Sequence, residues 1–336
     1  MKKICVLPGD GIGPEVVECS AAVLRAASDD LEFVSADIGH AAFEKTGSYL
    51  ADETIRTMAS CDSSLFGAAT SSDRPDYVSP VLTFRKALDL YANVRPIKTI
   101  VPSSKREPMD VVIVRENTEG MYTQNEVYDD DGVTTHRRVT KKASTRIVEF
   151  AIDYARANGR RKVCCVHKAN VLRASDALFL SIFRELMGRR GARLVADECL
   201  VDSAAMLLVT NPTRFDVIVT LNLYGDILSD VAAGVAGGLG FAPSGNIGSK
   251  HSVFEPAHGS APDIAGKGIA NPTAAILAGA MMLRHLGKDD EAKLVEQAVA
   301  DTYAAGHLTT DLGGRHGSKS FTEHVVERVQ RARRSA

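Results

Sequence analysis

Short β-branched runs alternate along this chain with longer helical patterns, and this alternation limits its possible folds more than any other feature. The strand-like runs are residues 2–8, 31–38, 63–68, 110–115, 162–167 and 215–220. Helical periodicity covers residues 13–28, 143–158, 174–188, 225–237, 272–287, 289–305 and 319–333. Such alternation predicts an α/β architecture with largely parallel strands. Polar residues at the carboxyl ends of the strands are then the first candidates for a ligand site.

Length, charge and cysteine usage narrow the class of protein. The 336 residues suffice for two domains or for one large α/β domain. A net charge of −2, with both signs mixed, gives no reason to expect nucleic acid or a membrane as a partner. We expect no signal peptide and no membrane span, since the apolar runs are too short. Six scattered cysteines predict reduced, buried thiols and a cytoplasmic protein.

One segment departs from the alternation. Residues 121–142 alternate polar and apolar side chains around an Asp131-Gly132 step, which predicts an antiparallel hairpin. The acidic run 129–131 lacks the spaced acids and terminal glutamate of a calcium loop. A polar hairpin with no covering helix is expected to be an arm that pairs with another subunit.

Two glycine-rich stretches invite a nucleotide-binding interpretation. "PGDGIGPE" (8–15) follows a strand and opens a helix, but Pro14 stands where the dinucleotide fingerprint needs its third glycine. "GSAPDIAGKGIANP" (259–272) contains a Gly-Lys step without the spacing of a P-loop. By pattern alone, tight turns explain both stretches.

Charged residues indicate a small anionic ligand and a cation. Arg85 and Arg95 fall in one predicted helical run that ends in "DLYANVRP", and Arg115 ends the strand 110–115. Three arginines in adjoining motifs suit a substrate with several carboxylates. Asp226 and Asp230 are four residues apart in a helical pattern, so they share one face and need a cation nearby.

Seven motifs carry a resemblance to a known family. In chain order they are "LPGDGIGPEV", "DLYANVRP", "VIVRENTEGMY", "HKANVLR", "NLYGDILSD", "APSGNIG" and "EPAHGSAPDIAGKGIANPTA". Together they resemble the β-decarboxylating dehydrogenases, a family that includes isocitrate, homoisocitrate and 3-isopropylmalate dehydrogenases. They look most like homoisocitrate dehydrogenases and related archaeal-type NAD-dependent isocitrate dehydrogenases. The resemblance runs from about residue 3 to near the C-terminus.

The resemblance implies the isocitrate/isopropylmalate dehydrogenase-like fold, which is not a Rossmann fold. It consists of two α/β domains with a central cleft and a β-hairpin arm for dimerisation. Residues 1–98 and 245–336 would form the larger domain, which holds the cofactor loop. Residues 99–244 would form the smaller domain, with the arm 121–142, the metal aspartates and the dimer contact. A homodimer with a shared active site is implied, with a tetramer as the alternative assembly.

The resemblance also implies the chemistry and the residues that perform it. Asp226 and Asp230, with Asp202 of the partner subunit, would bind Mg²⁺ or Mn²⁺. Lys168 of the partner subunit would help remove the hydroxyl proton, and Tyr122 would protonate the enol carbon. The substrate-binding residues implied are Ser79, Arg85, Arg95, Arg115 and Asn170. The cofactor would be NAD, bound by Ile12, His258, Gly259, Ser260, Ala261, Asp263, Ile264 and Asn271. An acid at position 263 matches family members that use NAD, because a carboxylate accepts hydrogen bonds from ribose hydroxyls and repels a 2′-phosphate.

The segment 77–86 bears on the choice of substrate. Ser79, six residues before Arg85, resembles isocitrate and homoisocitrate enzymes, so a 2-hydroxy tricarboxylate is favoured. Val81 and Leu82 could equally wall a small apolar pocket, which keeps 3-isopropylmalate as the alternative. A non-catalytic regulatory subunit of a heteromeric isocitrate dehydrogenase is less favoured, because the tyrosine, the lysine and all three aspartates are present.

Overall fold

The structure is a computed structural model that describes residues 1–74, 77–101 and 107–335. Within these residues it contains twelve β-strands and eleven α-helices. The strands are β1 (Lys2–Gly9), β2 (Leu31–Ser35), β3 (Ser63–Ala68), β4 (Ala92–Lys98), β5 (Asp110–Glu116), β6 (Gly120–Tyr128), β7 (Val133–Arg138), β8 (Lys162–His167), β9 (Val195–Leu200), β10 (Val217–Thr220), β11 (Pro243–Ile247) and β12 (Ser252–Pro256). The helices are α1 (Gly13–Ala27), α2 (His40–Thr46), α3 (Asp52–Ser60), α4 (Pro80–Ala87), α5 (Lys141–Ala157), α6 (Ser175–Arg190), α7 (Val201–Thr210), α8 (Asn222–Ala236), α9 (Thr273–His285), α10 (Asp289–Ala304) and α11 (Ser318–Ser335).

The chain forms two compact units. The first unit is Met1–Asp89 with Gly237–Ala336, and the second is Leu90–Ala236. These bounds differ from the expected ones, because β4 groups with the second unit, where all seven of its residues pair with β5. Each unit combines strands with helices, so the predicted α/β class is confirmed.

In the first unit the strand order is β2-β1-β3-β12-β11. β1 runs parallel to β2 and β3, and β12 runs parallel to β3 but antiparallel to β11. Helix α1 packs against α9 and α11, and α10 packs against α9 and α11. Val16, Val17 and Leu24 of α1 are buried, which explains the helical periodicity of that segment.

In the second unit the strand order is β4-β5-β10-β8-β9. Only the β4–β5 pair is antiparallel among the strand pairs described in this sheet segment. Helices α5 and α8 both pack against β5 and β10, so the central residues of these strands are apolar. Ile113, Ile218 and Leu228 are fully buried together, and each contributes roughly 1.5–3 kcal/mol to folding.

The predicted helical run that was to contain both Arg85 and Arg95 is wrong. Helix α4 ends at Ala87, and Asp89 follows with a positive φ of 48°. Arg95 lies on β4, where Pro96 is incompatible with a helix interior and where pairing with β5 satisfies the backbone. Strands β9, β11 and β12, and helices α2, α3 and α7, were not predicted either.

Residues 121–142 contain the predicted antiparallel hairpin, formed by β6 and β7. The Asp129 carboxylate accepts hydrogen bonds from the backbone N–H groups of Asp131 and Gly132, which closes the turn. Val127, Tyr128 and Val133 are exposed. The use of this hairpin as a dimerisation arm stays a prediction.

All six cysteines are free and buried, and burial raises the pKa of Cys5 to about 12 and of Cys19 to about 11. In the part of the chain that the structure describes, every helix is too short or too polar to cross a bilayer.

Candidate active site

The acidic pair lies at the start of α8, directly after β10. Asp226 and Asp230 are one helical turn apart, and their side chains are 36% and 56% exposed. Asp226 Oδ1 lies 2.6 Å from Arg115 Nη1 and 3.3 Å from Arg95 Nη1. Asp230 Oδ1 lies 3.5 Å from the same atom of Arg95. The structure therefore brings together both acids and two of the three predicted arginines.

Each of these two arginines is buried and oriented by a second set of hydrogen bonds. The Nε of Arg115, a residue 1% exposed, donates to the backbone oxygen and the Oδ1 of Asn222, at 2.9 and 3.0 Å. Arg95 donates from Nε to Asn93 Oδ1 at 2.9 Å and from Nη1 to Ser229 Oγ at 2.6 Å. Sequence reasoning missed Asn93, Asn222 and Ser229, although the last two stand in the motif "NLYGDILSD".

Gly225 lets α8 lie directly against Arg115. A Cβ at position 225 would lie 2.6 Å from Arg115 Cγ and 2.7 Å from Arg115 Cβ, well inside van der Waals contact. Any side chain there would displace the guanidinium that Asp226 holds. The glycine before the first aspartate is therefore part of the geometry of the site.

Tyr122 reaches the same cluster from β6. Its hydroxyl donates a hydrogen bond to Asp226 Oδ2, and the Arg115 guanidinium lies 5.0 Å above its ring. Asn222 Nδ2 donates to the backbone oxygen of Glu119 at 3.0 Å, which ties the start of the hairpin to α8. A phenol held between a guanidinium and a carboxylate is in a position to take part in proton transfer.

The electrostatics of the acidic pair fit a divalent cation. Desolvation raises the pKa of Asp230, Arg95 opposes this effect, and the Asp226 charge adds to it. Two partly exposed carboxylates one turn apart offer the hard oxygen ligands that Mg²⁺ and Mn²⁺ prefer. A bound cation would also offset the repulsion between the two acids.

Lys168 and Asp202 form a second group in the same unit. Lys168, which follows β8, donates from Nζ to Asp202 Oδ1 in the first turn of α7. This hydrogen bond lowers the pKa of Asp202, whose side chain is 61% exposed. Asn170 is exposed in the segment between Lys168 and α6. Lys168 and Asp202 therefore pair with each other within this unit.

Buried Asp176 anchors the backbone of Lys168, and sequence reasoning missed it. Asp176 is fully buried, and its carboxylate accepts hydrogen bonds from Lys168 N at 2.7 Å, Arg137 Nη1 at 2.5 Å and Tyr224 Oη at 3.1 Å. Burial and the neighbouring Asp176 charge raise the pKa of Tyr224 to about 12. The hairpin, α6 and α8 thus converge on one carboxylate that positions the lysine.

Arg85 and Ser79 lie in the first unit. Arg85 is buried, and its Nη2 donates to Glu255 Oε1 at 3.1 Å, while its buried Nε has no hydrogen-bond partner among the described residues. An unsatisfied guanidinium N–H is unfavourable unless a ligand accepts from it. Ser79 is the N-cap of α4, where its Oγ accepts from Leu82 N at 3.4 Å. Glu255 was not predicted.

A cavity of about 440 Å³ lies in the first unit and includes most of the predicted cofactor residues. Its lining residues are Ile12, Gly240, His258, Ala261, Ile264, Ile269, Ala270, Asn271, Thr310 and Asp311. Gly259, Ser260 and Asp263 belong to the same loop. Gly240, Ile269, Ala270, Thr310 and Asp311 were not predicted, because their approach depends on packing between distant segments.

The cofactor loop is fixed to the turn after β1 and has polar atoms beside apolar walls. Ile12 N donates to Ser260 O at 2.8 Å, and Thr70 Oγ1 donates to Ser260 Oγ at 2.7 Å. Burial lowers the pKa of His258, and its Nε2 has no hydrogen-bond partner within residues 1–74, 77–101 and 107–335. Asn271 Nδ2 donates to Asp311 Oδ2 at 3.0 Å. An apolar cavity with a few fixed polar groups suits the adenine end of a dinucleotide.

Comparisons with known proteins agree on one family. The family described as isocitrate/isopropylmalate dehydrogenase matches residues 3–329. An isocitrate/homoisocitrate dehydrogenase of Thermus thermophilus is 49% identical over 98% of each chain. A 3-isopropylmalate dehydrogenase of Methanothermobacter thermautotrophicus is 46% identical, also over 98% of each chain. The crystal structure of isocitrate dehydrogenase from Methylococcus capsulatus is 43% identical, with a TM-score of 0.94, and the match covers 98% of this chain and 100% of that one.

Proposed function

Because the chain belongs to the isocitrate/isopropylmalate dehydrogenase family, whose members are decarboxylating dehydrogenases, we propose that it converts a 2-hydroxy tricarboxylate to the 2-oxo acid and CO₂. The substrate is isocitrate or homoisocitrate, the oxidant is NAD, and the reaction needs Mg²⁺ or Mn²⁺. The match confirms the family inferred from the seven motifs. Substrate, cofactor and metal are the proposal.

The cluster around Asp226 carries this proposal. Two buried arginines supply fixed positive charge for substrate carboxylates, and two acids supply oxygen ligands for a cation. Tyr122 stands within hydrogen-bonding distance of one of those acids. A plain binding module has no need of a proton donor held beside a metal-ligand set.

The residues of this chain divide the work as follows. The loop that runs from His258 to Asn271 would hold NAD, which would supply a hydride acceptor, and Asp226 and Asp230 would hold the divalent cation, which would supply Lewis acidity. Arg95 and Arg115 hold the substrate carboxylates in bidentate geometry. Lys168 of the partner subunit helps remove the hydroxyl proton: its Nζ takes up that proton as it passes one of its own to the Asp202 carboxylate that it contacts. Tyr122 delivers its phenolic proton to the carbon that loses CO₂.

Arg85, which lies in the first unit, is also proposed to bind a substrate carboxylate. Its charge is neutralised by Glu255, which also accepts from Asn246 Nδ2 at 2.8 Å and is therefore fixed. The unpartnered Nε leaves one N–H for a substrate carboxylate. Ser79, at the start of the same helix, supplies a hydroxyl for the third carboxylate, which favours a tricarboxylate.

A second candidate substrate is 3-isopropylmalate, and a specific feature of α4 favours it. Val78 is 64% exposed beside Ser79, and Val81 and Leu82 are partly exposed in the first turn of α4. These three side chains could contact an isopropyl group. One or two methylene-sized contacts are worth about 1–3 kcal/mol of discrimination, so the two candidates are separable by kinetics.

We expect the purified protein to oxidise isocitrate or homoisocitrate with NAD and added Mg²⁺. The tricarboxylate should exceed 3-isopropylmalate in kcat/KM by at least about 10-fold, since a hydroxyl–carboxylate contact is lost with the latter. The measurement is NADH absorbance with each substrate, with and without a chelator. A preference for 3-isopropylmalate would replace the tricarboxylate by the second candidate. Absence of turnover with all three would favour the regulatory-subunit alternative.

Asp263 is proposed to select NAD over NADP. Its carboxylate is exposed on the cofactor loop, where it would accept from ribose hydroxyls and repel a 2′-phosphate. For the Asp263→Asn variant we expect kcat/KM for NADP to rise at least about fivefold, from roughly 1 kcal/mol of relieved repulsion. The matched control is Asp290→Asn, which removes an equally exposed acid on α10. Equal use of both cofactors by the unaltered protein would contradict this role.

A further inference from the structure

Three histidines gather in the first unit, outside the sites described above. His307 follows α10, His316 precedes α11, and His324 lies in the second turn of α11. Each offers a ring nitrogen within 4.8 Å of those of the other two, and all three residues are partly buried. The rings of His307 and His324 are stacked, with centroids 3.8 Å apart. Histidines up to 17 positions apart in sequence therefore place their rings in one cluster.

The spacing of one pair of nitrogens matches tetrahedral metal coordination. His307 Nδ1 and His316 Nε2 are 3.3 Å apart. Two ligands of a tetrahedral ion with metal–nitrogen bonds of about 2.0–2.1 Å lie about 3.3–3.4 Å from each other. One hydrogen bond between neutral rings would give a similar distance, and His324 is stacked on His307, so metal titration is needed to distinguish the two arrangements.

The backbone, rather than the side chains alone, brings the first two histidines together. His316 N donates to Leu308 O at 3.2 Å, and residues 309 and 316 form a parallel β-bridge. Gly314 permits this approach, because a Cβ there would lie 2.0 Å from Leu308 O. Helix α11 then presents His324 from the other side. The backbone is thus in place before any ion binds, and the stacked rings of His307 and His324 need only rotate to direct a nitrogen each at one ion.

The charges around the cluster select the kind of ion. Arg315 and Arg328 are close enough to act electrostatically on His307, and the carboxylate of Glu327 lies 3.8 Å from His324 Nδ1. Nearby guanidinium groups disfavour a hard cation held mainly by charge, such as Mg²⁺. Imidazole nitrogens instead suit borderline ions such as Zn²⁺, Co²⁺, Ni²⁺ and Cu²⁺.

We propose that His307, His316 and His324 form a binding site for a borderline transition-metal ion, with Zn²⁺ as the representative. Three imidazoles leave a fourth position for water or for another ligand. This site differs in ligand chemistry from the oxygen cluster at Asp226, and it stands independently of the proposed dehydrogenase function.

Metal at this site would restrain part of the cofactor cavity. The segment between His307 and His316 carries Thr310 and Asp311, which line the cavity, and Thr310 Oγ1 donates to Ile269 O at 3.0 Å. An ion bound by both histidines and by His324 joins the two ends of this segment to α11. The amide hydrogens of residues 308–315 should therefore exchange more slowly with solvent when metal is bound.

The test titrates tag-free protein with Co²⁺, in excess Mg²⁺ to occupy oxygen ligands, and then displaces Co²⁺ with Zn²⁺. We expect one equivalent of Co²⁺ with the intense visible absorption of a tetrahedral nitrogen site. His316→Gln and His324→Gln, each removing one ligand, should weaken binding by at least about 10–100-fold. The control His251→Gln removes a partly exposed histidine of the same unit and should leave binding unchanged.

Two results would overturn the site. One is that His316→Gln and His324→Gln both bind Zn²⁺ with unchanged affinity and have the same melting temperature as the unaltered protein. The other is unchanged amide exchange of residues 308–315 at saturating Zn²⁺. Neither readout uses NAD or substrate, so failure here is distinguishable from failure of the proposed activity.

Discussion

Replacing Asp226 with asparagine is expected to lower kcat/KM at least about 1,000-fold. The Asp226 carboxylate lies 2.6 Å from Arg115 and 3.3 Å from Arg95, and it accepts a hydrogen bond from the hydroxyl of Tyr122. Removing the charge of Asp226 deprives the cation of a ligand. It also removes negative charge that balances the guanidinium groups of Arg95 and Arg115. Loss of a single group that stabilises transition-state charge commonly costs about 100–1,000-fold, and here metal binding is lost as well.

Asparagine retains an oxygen that can accept from Arg115, so the variant should fold. The measurement pairs steady-state kinetics at several Mg²⁺ concentrations with a direct Mn²⁺ titration, in which affinity should fall with activity. Asp197→Asn is the matched control, since Asp197 pairs with Arg214 in the same unit without touching the cluster's arginines in any contact seen in the described residues. Unimpaired turnover of Asp226→Asn would refute the metal assignment.

Local periodicity sufficed to predict the acidic pair but not its surroundings. Asp226 and Asp230 share a helix face because the i, i+4 relation is a property of one segment. Arg95 was assigned to the wrong element, because β4 exists through pairing with β5, some 18 residues further along the chain. Its partner Asn93 stands two residues away on the same strand, whereas its partner Ser229 is brought to it only by the packing of α8 against β4.

Long-range hydrogen bonds account for most of what the sequence alone did not predict. Glu255 pairs with Arg85 across 170 positions, and Asp176 is buried where charge is costly unless three donors satisfy it. The loop that we propose for the cofactor was predicted from its motif, yet Asp311 reaches it from a separate segment. Residue type marks such groups as polar but does not indicate that they are buried.

The groups that we propose for catalysis form two separate sets within one unit. This division raises the question of whether one chain supplies a complete active site. One set is Asp226 with its arginines and Tyr122, and the other is Lys168 with Asp202. The exposed Asp202 carboxylate faces no cation of its own chain except Lys168 among the ion pairs of the described residues. If the second set serves the partner subunit, each half of a dimer lacks a complete site.

Mixing two inactive variants should therefore restore activity. Lys168→Met and Asp226→Asn are each expected to lose nearly all turnover. In randomly reassembled dimers about half are mixed, and each mixed dimer holds one unaltered site, so about one quarter of the original activity returns. The measurement is NADH production after joint unfolding and refolding, or after co-expression with two different affinity tags.

The pair Lys168→Met with Asp202→Asn provides the decisive control. Both substitutions lie in the same set, so every site of the mixed dimer receives one altered residue and no activity should return. Recovery in the first mixture but not in the second requires that the two sets come from different chains. If neither mixture recovers although mixed dimers are isolated, each chain completes its own site, and Lys168 and Asp202 must then reach Asp226 within one subunit.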